Sequence, residues 1–180
     1  VETDTPLSST TDSESVIQAP GWVEAEPYSV YAGALTDGVV EEILVLEGDA
    51  VKKNQHVATL VSDDAQLVLK KSKATERLKT GELSAATALM HELADEYNRK
   101  KPLVETGAVA EGPIERLRLR IIAQEAKVAI AIAALEETAI ATATAQLALD
   151  RCVVVSPIDG IVIERLASPG SVIKLGMQEH

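Results

Sequence analysis

The spacing of hydrophobic and polar positions changes twice along the chain. From Trp22 to about Val61, short runs rich in Val, Ile and Leu are separated by Gly, Asp and Asn, which predicts strands joined by turns. From about Asp63 to Arg151, Ala, Leu, Glu, Lys and Arg dominate, which predicts helix. The β pattern resumes at Cys152. We therefore predict an α+β protein in which a helical stretch is inserted between two β segments.

One group of helix-breaking residues divides the helical stretch into two arms. In the segment KKPLVETGAVAEGP, Pro102 is expected to stop the first helix near Lys101, and Pro113 to be the first residue of the second helix. The arms would run from about 64 to 101 and from about 113 to 150, each roughly 55 Å long. Equal arms around a short turn predict an antiparallel α-helical hairpin.

Apolar columns along the arms predict which faces meet. The expected contact face of the first arm holds Leu67, Ala74, Leu78, Ala85, Leu89 and Leu93. The expected contact face of the second arm holds Ile114, Ile121, Val128, Leu135 and Leu149. A second column, about 200° around that helix, holds Leu119, Ala126, Ala133, Ile140 and Leu147. Either exposed alanines need no partner there, or this surplus apolar face contacts neighbouring copies or another protein.

The two β segments contain the same motif, at a constant offset of 122 residues. The segment DGVVEEILVLEGDAVKKN, residues 37–54, matches DGIVIERLASPGSVIKLG, residues 159–176. Asn54 corresponds to Gly176, and both residue types tolerate a positive φ angle. Each half is too small to bury a core alone, so we expect the halves to pack about a pseudo-twofold axis. The positions expected to make structural turns are Gly38, Gly48, Asn54, Gly160, Gly170 and Gly176.

Composition excludes several classes of function. The formal net charge of −11 argues against a phosphate-binding face, and the absence of Phe with a single Trp argues against stacking on bases, so nucleic acid is not an expected partner. The three histidines, His56, His91 and His180, lack metal-ligand spacing, and neither metal nor cofactor is expected. Cys152 is the single cysteine and is expected to be a small buried hydrophobe.

No residue pattern indicates catalysis. Ser156 and Asp159 fall in turn patterns without a nearby histidine to act as base. Glu136 and Glu137 are adjacent on a helix and point about 100° apart, which suits a solvated edge. They also lie at the centre of residues 128–149, where two carboxylates would cost roughly 5 kcal/mol or more in a bilayer, so we expect no membrane span there. We predict a protein that is not an enzyme.

The β motifs, together with the hairpin that they flank, resemble a known family. GALTDGVVEEILVLEGDAVKKNQHVATLVSDD resembles the first half of a biotinyl/lipoyl-like domain, and LDRCVVVSPIDGIVIERLASPGSVIKLG resembles the second half, in the form found in periplasmic adaptor subunits, the membrane fusion proteins of secretion and efflux. The resemblance implies a split lipoyl-like β-sandwich, or barrel-sandwich hybrid, with an inserted coiled-coil hairpin. Its expected organisation is a flexible polar segment at 1–19, a first half at 20–62, the hairpin at 63–150 and a second half at 151–180.

The resemblance also implies a role. Such adaptors in Gram-negative bacteria link an inner-membrane transporter to an outer-membrane channel. From the equal arms and the surplus apolar face we expect several copies to pack side by side as a ring around an exported substrate. Such adaptors lie in the periplasm, anchored to or associated with the inner membrane, and continue into a β-barrel domain, so this chain is expected to be a piece of a longer protein. The family carries Arg, then Leu four residues on, then Ser seven further at the tip that docks to the channel. Arg99 and Leu103 fit, whereas Ala110 holds the Ser place and Pro102 intrudes.

Two alternatives remain open at the level of sequence. A true lipoyl or biotin carrier displays a modified lysine at the turn joining its halves, but here Lys52, Lys53 and Lys174 lie within the repeat and the junction is helical. A modified lysine found by mass spectrometry would favour that reading. The second alternative is a structural coiled-coil interaction module.

Overall fold

The computed structural model of the chain describes residues 28–108 and 110–175. Contacts divide the chain into two units, residues 1–31 and 32–180. In the first unit, residues 28–31 are described and form neither helix nor strand. The polar segment expected at residues 1–19 and the turn expected at Gly176 lie outside the described residues. All elements below belong to the second unit.

The second unit combines short strands with two long helices. The elements in chain order are β1 Gly38–Ile43, β2 Ala50–Val51, β3 His56–Leu60, α1 Asp63–Glu105, α2 Glu111–Asp150, β4 Val153–Val155, β5 Gly160–Ile161 and β6 Val172–Ile173. Four strands form one sheet in the order β4-β3-β1-β6, and β2 and β5 form a second, two-stranded sheet. Every strand pair is antiparallel. The α+β prediction, with the hairpin inserted between two β halves, is confirmed.

The strand pairing has the predicted pseudo-twofold symmetry. In β1 and β6, Gly38 pairs with Ile173. Adding 122 to the first number and subtracting it from the second gives Gly160 and Val51, and these two residues pair between β5 and β2. The second pair of each ladder obeys the same shift. The repeat in the sequence is therefore a repeat of hydrogen-bonded structure.

The turns before β2 and β6 obey the same symmetry. Gly48 donates its backbone N–H to the carbonyl of Val162 at 2.8 Å, and Gly170 donates to Val40 at 2.8 Å. Both glycines have positive φ, +91° and +88°, where a side chain is strained. Residues 32–61 and 152–175 are the two halves of what we call the β module. Each half thus donates a hydrogen bond from a glycine turn to the backbone of the other half.

The core of the β module consists of two small aliphatic clusters. Val40 and Leu60 are the most deeply buried side chains, at 2% and 1% exposure, and they pack with Cys152. A Cβ atom on Gly38 would lie 3.3 Å from the Leu60 side chain, so glycine allows this close approach. Burial raises the pKa of the Cys152 thiol. The prediction that this cysteine is a buried hydrophobe is confirmed.

The hairpin leaves the module from two neighbouring strands. The chain passes from β3 into α1 and returns from α2 into β4, and β3 and β4 are themselves paired, with Thr59 opposite Val153. The backbone N–H of Leu60 donates to the carbonyl of Cys152 at 2.7 Å. Both arms are therefore held together at their base by a hydrogen-bonded ladder.

The helix ends differ from the predicted ones. α1 passes through Pro102 and ends at Glu105, because a proline in the last turn removes only one main-chain hydrogen bond from the helix. α2 begins at Glu111, so Pro113 is the third helical residue rather than the first. Its missing N–H still costs nothing, since the N–H groups of the first turn have no partner inside the helix.

Candidate functional site: the helical hairpin and its tip

The contact face of α2 is the one that the heptad spacing predicts. The residues half-buried against α1 include the predicted column Ile114, Ile121, Val128, Leu135 and Leu149. The buried residues of the helix are Leu117, Gln124 and Ala145, and the first two lie three residues after Ile114 and Ile121. This alternation of three and four residues is the spacing of a coiled-coil seam.

The predicted contact face of α1 is wrong. Leu67 and Leu78 are 61% and 62% exposed, and of the predicted column only Leu93 is buried. The residues of α1 that are at least half-buried along the seam instead include Leu69, Ser72, Glu76, Lys79, Leu83, Ala86, Met90, Leu93, Tyr97 and Val104. Near the base this seam is polar, because the aliphatic stems of Glu and Lys can cover apolar surface while the charged ends reach water.

Among the described residues of the hairpin, Gln124 is the one side chain that forms a hydrogen bond across the seam. Gln124 is 4% exposed and its side-chain amide donates to the backbone carbonyl of Ala86 at 2.9 Å. A buried amide in a coiled-coil seam favours one register, since any shift would leave it without its partner. The contact therefore fixes which levels of α1 and α2 lie side by side.

The outer face of α2 is apolar and open. The second predicted column is exposed, with Leu119 at 53%, Ile140 at 69% and Leu147 at 49%. Within residues 28–108 and 110–175, α2 is the one helix with the length and composition to cross a membrane, with a mean hydropathy of 1.5 over its most apolar window, of which 6% is buried. Length and composition alone do not make it a membrane span, and here it runs beside α1 as one arm of the hairpin.

The tip of the hairpin is closed by a glycine cap. Gly107 has a φ of +73°; its N–H donates to Val104 at 2.9 Å, and the N–H of Ala108 donates to Leu103 at 3.0 Å. This is the Schellman arrangement, which satisfies carbonyl groups left open at the end of a helix. The chain then enters α2 after Ala110, which is extended, with φ −69° and ψ 150°.

The three predicted tip residues fall in this region. Arg99 and Leu103 are exposed near the end of α1, and their spacing of four places them on one side of the helix. Ala110 is exposed immediately before α2. Beside them an open groove of about 410 Å³ is lined by residues of both arms: Lys101, Val104, Glu111, Ile114 and Glu115. The sequence reasoning missed this groove, and its mixture of charged and aliphatic residues gave no distinct signal.

An ion pair lies within each arm near the tip. Lys100 donates to Glu96 one turn away, and Arg118 donates through Nε and Nη2 to the carboxylate of Glu115, with the shortest contact at 2.7 Å. The hydrogen bond and the charge of Lys100 lower the pKa of Glu96, and the hydrogen bond of Arg118 lowers that of Glu115. All four side chains stay accessible to solvent, so these pairs contribute little to stability.

The predicted turn residues of the β module serve two different purposes. Gly48, Gly170 and Asn54 have positive φ, with Asn54 at +65°. Gly38 and Gly160 instead begin strands β1 and β5, after the turns rather than within them. The aspartates before these two glycines cap the turns: Asp159 accepts from the N–H of Lys53 at 2.8 Å, and the equivalent Asp37 accepts from Leu175.

Ser156, just before the second repeat, forms hydrogen bonds with the backbone. Ser156 is 4% exposed; its hydroxyl donates to the carbonyl of Ile158 at 2.7 Å and its N–H donates to Gln55 at 2.9 Å. Among the described residues, no group of three or more His, Cys, Asp or Glu side chains could hold a metal ion. Lys52, Lys53 and Lys174 lie at or beside the turns and not at the junction of the halves, which the hairpin occupies.

The fold matches known proteins. Residues 30–178 match the family model of the CzcB-like barrel-sandwich hybrid domain. The structure of MacA from Actinobacillus actinomycetemcomitans superposes with a TM-score of 0.75 at 23% identity, over 82% of this chain and 46% of MacA. The membrane fusion protein Spr0693 from Streptococcus pneumoniae R6 superposes with a TM-score of 0.52 at 21% identity, over 75% of this chain and 53% of that protein. The chain thus spans about half the length of these relatives, and no curated protein sequence matches it.

Proposed function

Because the chain belongs to the family of CzcB-like barrel-sandwich hybrid domains, we propose that it is the hairpin-bearing part of a periplasmic adaptor for efflux or secretion. The adaptor bridges an inner-membrane transporter and an outer-membrane channel, and it is not an enzyme. In the full-length protein it lies in the periplasm, anchored to or associated with the inner membrane. One of the structural relatives is itself a membrane fusion protein, which supports this assignment.

The observation that carries the proposal is the form of the hairpin. Its helices have 43 and 40 residues, so they extend about 60 Å from the β module. Such a length far exceeds what the small core of the module needs for stability. A long arm, fixed at its base by the β3–β4 ladder and capped at its end, suits a spacer that holds a contact at a set distance.

We assign the channel contact to the tip and the transporter side to the part of the protein that carries the β module. Arg99 and Leu103 supply a cation and an exposed aliphatic group on one side of α1, and Ala110 lies at the start of α2. Several copies assemble as a ring around the exported substrate. This assembly would give the open apolar face of α2 a partner that excludes water.

The tip contact can be tested by photo-crosslinking in the host organism. A photoreactive amino acid placed at Leu103 of the full-length protein is expected to form an adduct with an outer-membrane protein, identified by mass spectrometry. The matched control is Leu67, an exposed leucine on the same helix about 54 Å nearer the base, where no adduct with that protein is expected.

Two results would contradict the bridging role. One is the same outer-membrane adduct from both positions, which would mean that the contact does not depend on the tip. The other is the absence of any outer-membrane adduct from Leu103 in cells where the channel is present and the adaptor is folded. Protease accessibility in spheroplasts checks the periplasmic location independently.

A further inference from the structure

We propose that α2 of one copy packs against α1 of the next copy, through the faces turned away from the seam, and that Glu136 and Glu137 meet the basic segment of α1. This basic segment consists of Lys70, Lys71, Lys73 and Arg77. The inference rests on the proposed ring and names the contact that builds it.

Both arms carry an apolar column directed away from their seam. On α1 the exposed column includes Leu67 and, seven residues later, Ala74. On α2 it includes Ala133 and, seven residues later, Ile140. Leu67 is 61% and Ile140 is 69% exposed. Since the two columns lie on opposite sides of the hairpin, one copy can contact two neighbours at the same time.

Opposite charges flank the two columns at equivalent positions. Lys70 and Lys71 follow Leu67 by three and four residues, so they lie on either side of the α1 column. Glu136 and Glu137 follow Ala133 by three and four residues, and they lie on either side of the α2 column in the same way. All four are exposed, and none forms an ion pair with another described residue.

The charged groups lie at matching heights along the hairpin. Gln124 of α2 contacts Ala86 of α1, and counting twelve residues towards the base from each sets Glu136 level with Ala74. Lys71 and Arg77 stand three residues on either side of Ala74. A neighbouring hairpin set side by side at the same height would therefore present these two cations to Glu136 and Glu137.

At a second height, nearer the tip, the signs are reversed. There α1 carries the exposed acids Glu92 and Asp95, and α2 carries the exposed base Arg116. At both of these heights the exposed charges of α1 are thus opposite in sign to those of α2. Complementary potentials of this kind fix partner and register.

The same pattern disfavours symmetric pairing of the hairpins at equal height. If two α2 faces met at equal height, Glu136 and Glu137 would lie against their own copies, and two α1 faces would set Lys against Lys, which is unfavourable. The favourable contact joins unlike faces, head to tail. Such contacts close into a ring when the rotation allows it. A lipid surface is disfavoured, because the apolar column of α2 is flanked by two acids.

Charge exchange tests the contact in the chain itself, by sedimentation velocity over a range of concentrations. E136K/E137K and K71E/R77E are each expected to weaken self-association about 30-fold, or about 2 kcal/mol, since attraction at two exposed positions becomes repulsion. The variant with all four substitutions is expected to associate within about threefold of the wild type. It keeps the wild-type net charge, and the two double variants change that charge in opposite directions.

Each result distinguishes the contact from the function. Equal association of all four proteins would overturn the α1–α2 contact while leaving a ring possible through other surfaces. A wild-type chain that is monomeric at its highest soluble concentration would overturn both the contact and the ring. Binding of the wild type to vesicles in place of self-association would assign the α2 face to lipid. The adaptor role stands or falls separately, on the crosslink at Leu103.

Discussion

Replacement of glycine by alanine at three open positions gives a test in which backbone conformation alone decides the sign of the effect. At Gly48, Gly170 and Gly81, an added Cβ atom would meet no heavy atom within 4 Å. Steric clash is therefore absent at all three. Gly48 and Gly170 have φ near +90°, whereas Gly81 lies within the helix α1. The three substitutions thus differ only in the backbone that alanine must adopt.

The expected magnitudes follow from these conformations. An L-residue in the left-handed region costs about 1–2 kcal/mol, so G48A and G170A are each expected to lower the free energy of unfolding by that amount. The two losses should be equal, because the turns are related by the pseudo-twofold symmetry and donate equivalent hydrogen bonds of 2.8 Å. G81A is expected to raise the free energy of unfolding by about 1 kcal/mol, since alanine favours the helix.

Urea unfolding followed by circular dichroism measures these changes, at protein concentrations where the chain is monomeric. The dilution matters because Gly81 lies on the outer side of α1, where contact with a second copy could obscure the intrinsic effect. Unequal losses for G48A and G170A would refute the energetic equivalence of the two halves. A loss of stability in monomeric G81A would refute the argument that α1 is an ordinary continuous helix at this point.

Three further predictions concern the hairpin. L93A is expected to lower the free energy of unfolding by about 2–4 kcal/mol, because Leu93 is 5% exposed. L89A, at 42% exposure, should lower it by less than about 1 kcal/mol. Similar urea midpoints for the two variants would contradict the assignment of Leu93 to the contact face of α1. Q124L is expected to raise the free energy of unfolding by about 1 kcal/mol as an apolar side chain replaces a buried amide, and a decrease would show that the hydrogen bond of Gln124 dominates. Lys100 holds the pKa of Glu96 below its ordinary value of 4.5, so the pair stabilises the helix above that pH and the contribution is lost as the pH falls through the lowered pKa. On acidification E96Q should therefore lose less helicity than the wild type, as measured by circular dichroism. An equal loss in both proteins would contradict a stabilising Glu96–Lys100 pair.

The pairing of the β halves could be predicted from the sequence because the repeat shows which residues of the two halves are equivalent. A constant offset aligns Gly48 with Gly170, and a glycine at positive φ is a position where few other residues fit. The repeat did not reveal that Gly38 begins a strand. That role depends on the approach of Leu60, which comes from β3 and lies outside the repeated segment 37–54.

The contact face of α1 could not be found from hydrophobicity because its most apolar column is not its most buried one. Near the base the seam contains Ser72, Glu76 and Lys79, and across it α2 offers Thr138 and Thr142. Small polar side chains and aliphatic stems fill this part of the hairpin. In α2 the predicted column and the buried face agree, because there the heptad positions hold Ile, Val and Leu over several turns.

The helix α1 ends later than its proline predicts. Pro102 is a strong signal against helix when it is taken alone. Here the backbone hydrogen bonds from Gly107 and Ala108 close the last turn and hold the residues after the proline in helical geometry. A cap formed by residues outside the helix can therefore outweigh a breaker inside it.

The insertion of both arms between the paired strands β3 and β4 makes the length of the hairpin an independent variable. Adding or removing one heptad in each arm would move the tip by about 10 Å and would leave the seam faces and the β3–β4 ladder unchanged. The number of heptads can thus change without any redesign of the β module. The distance between the β module and the tip is set by counting turns of helix, in equal increments.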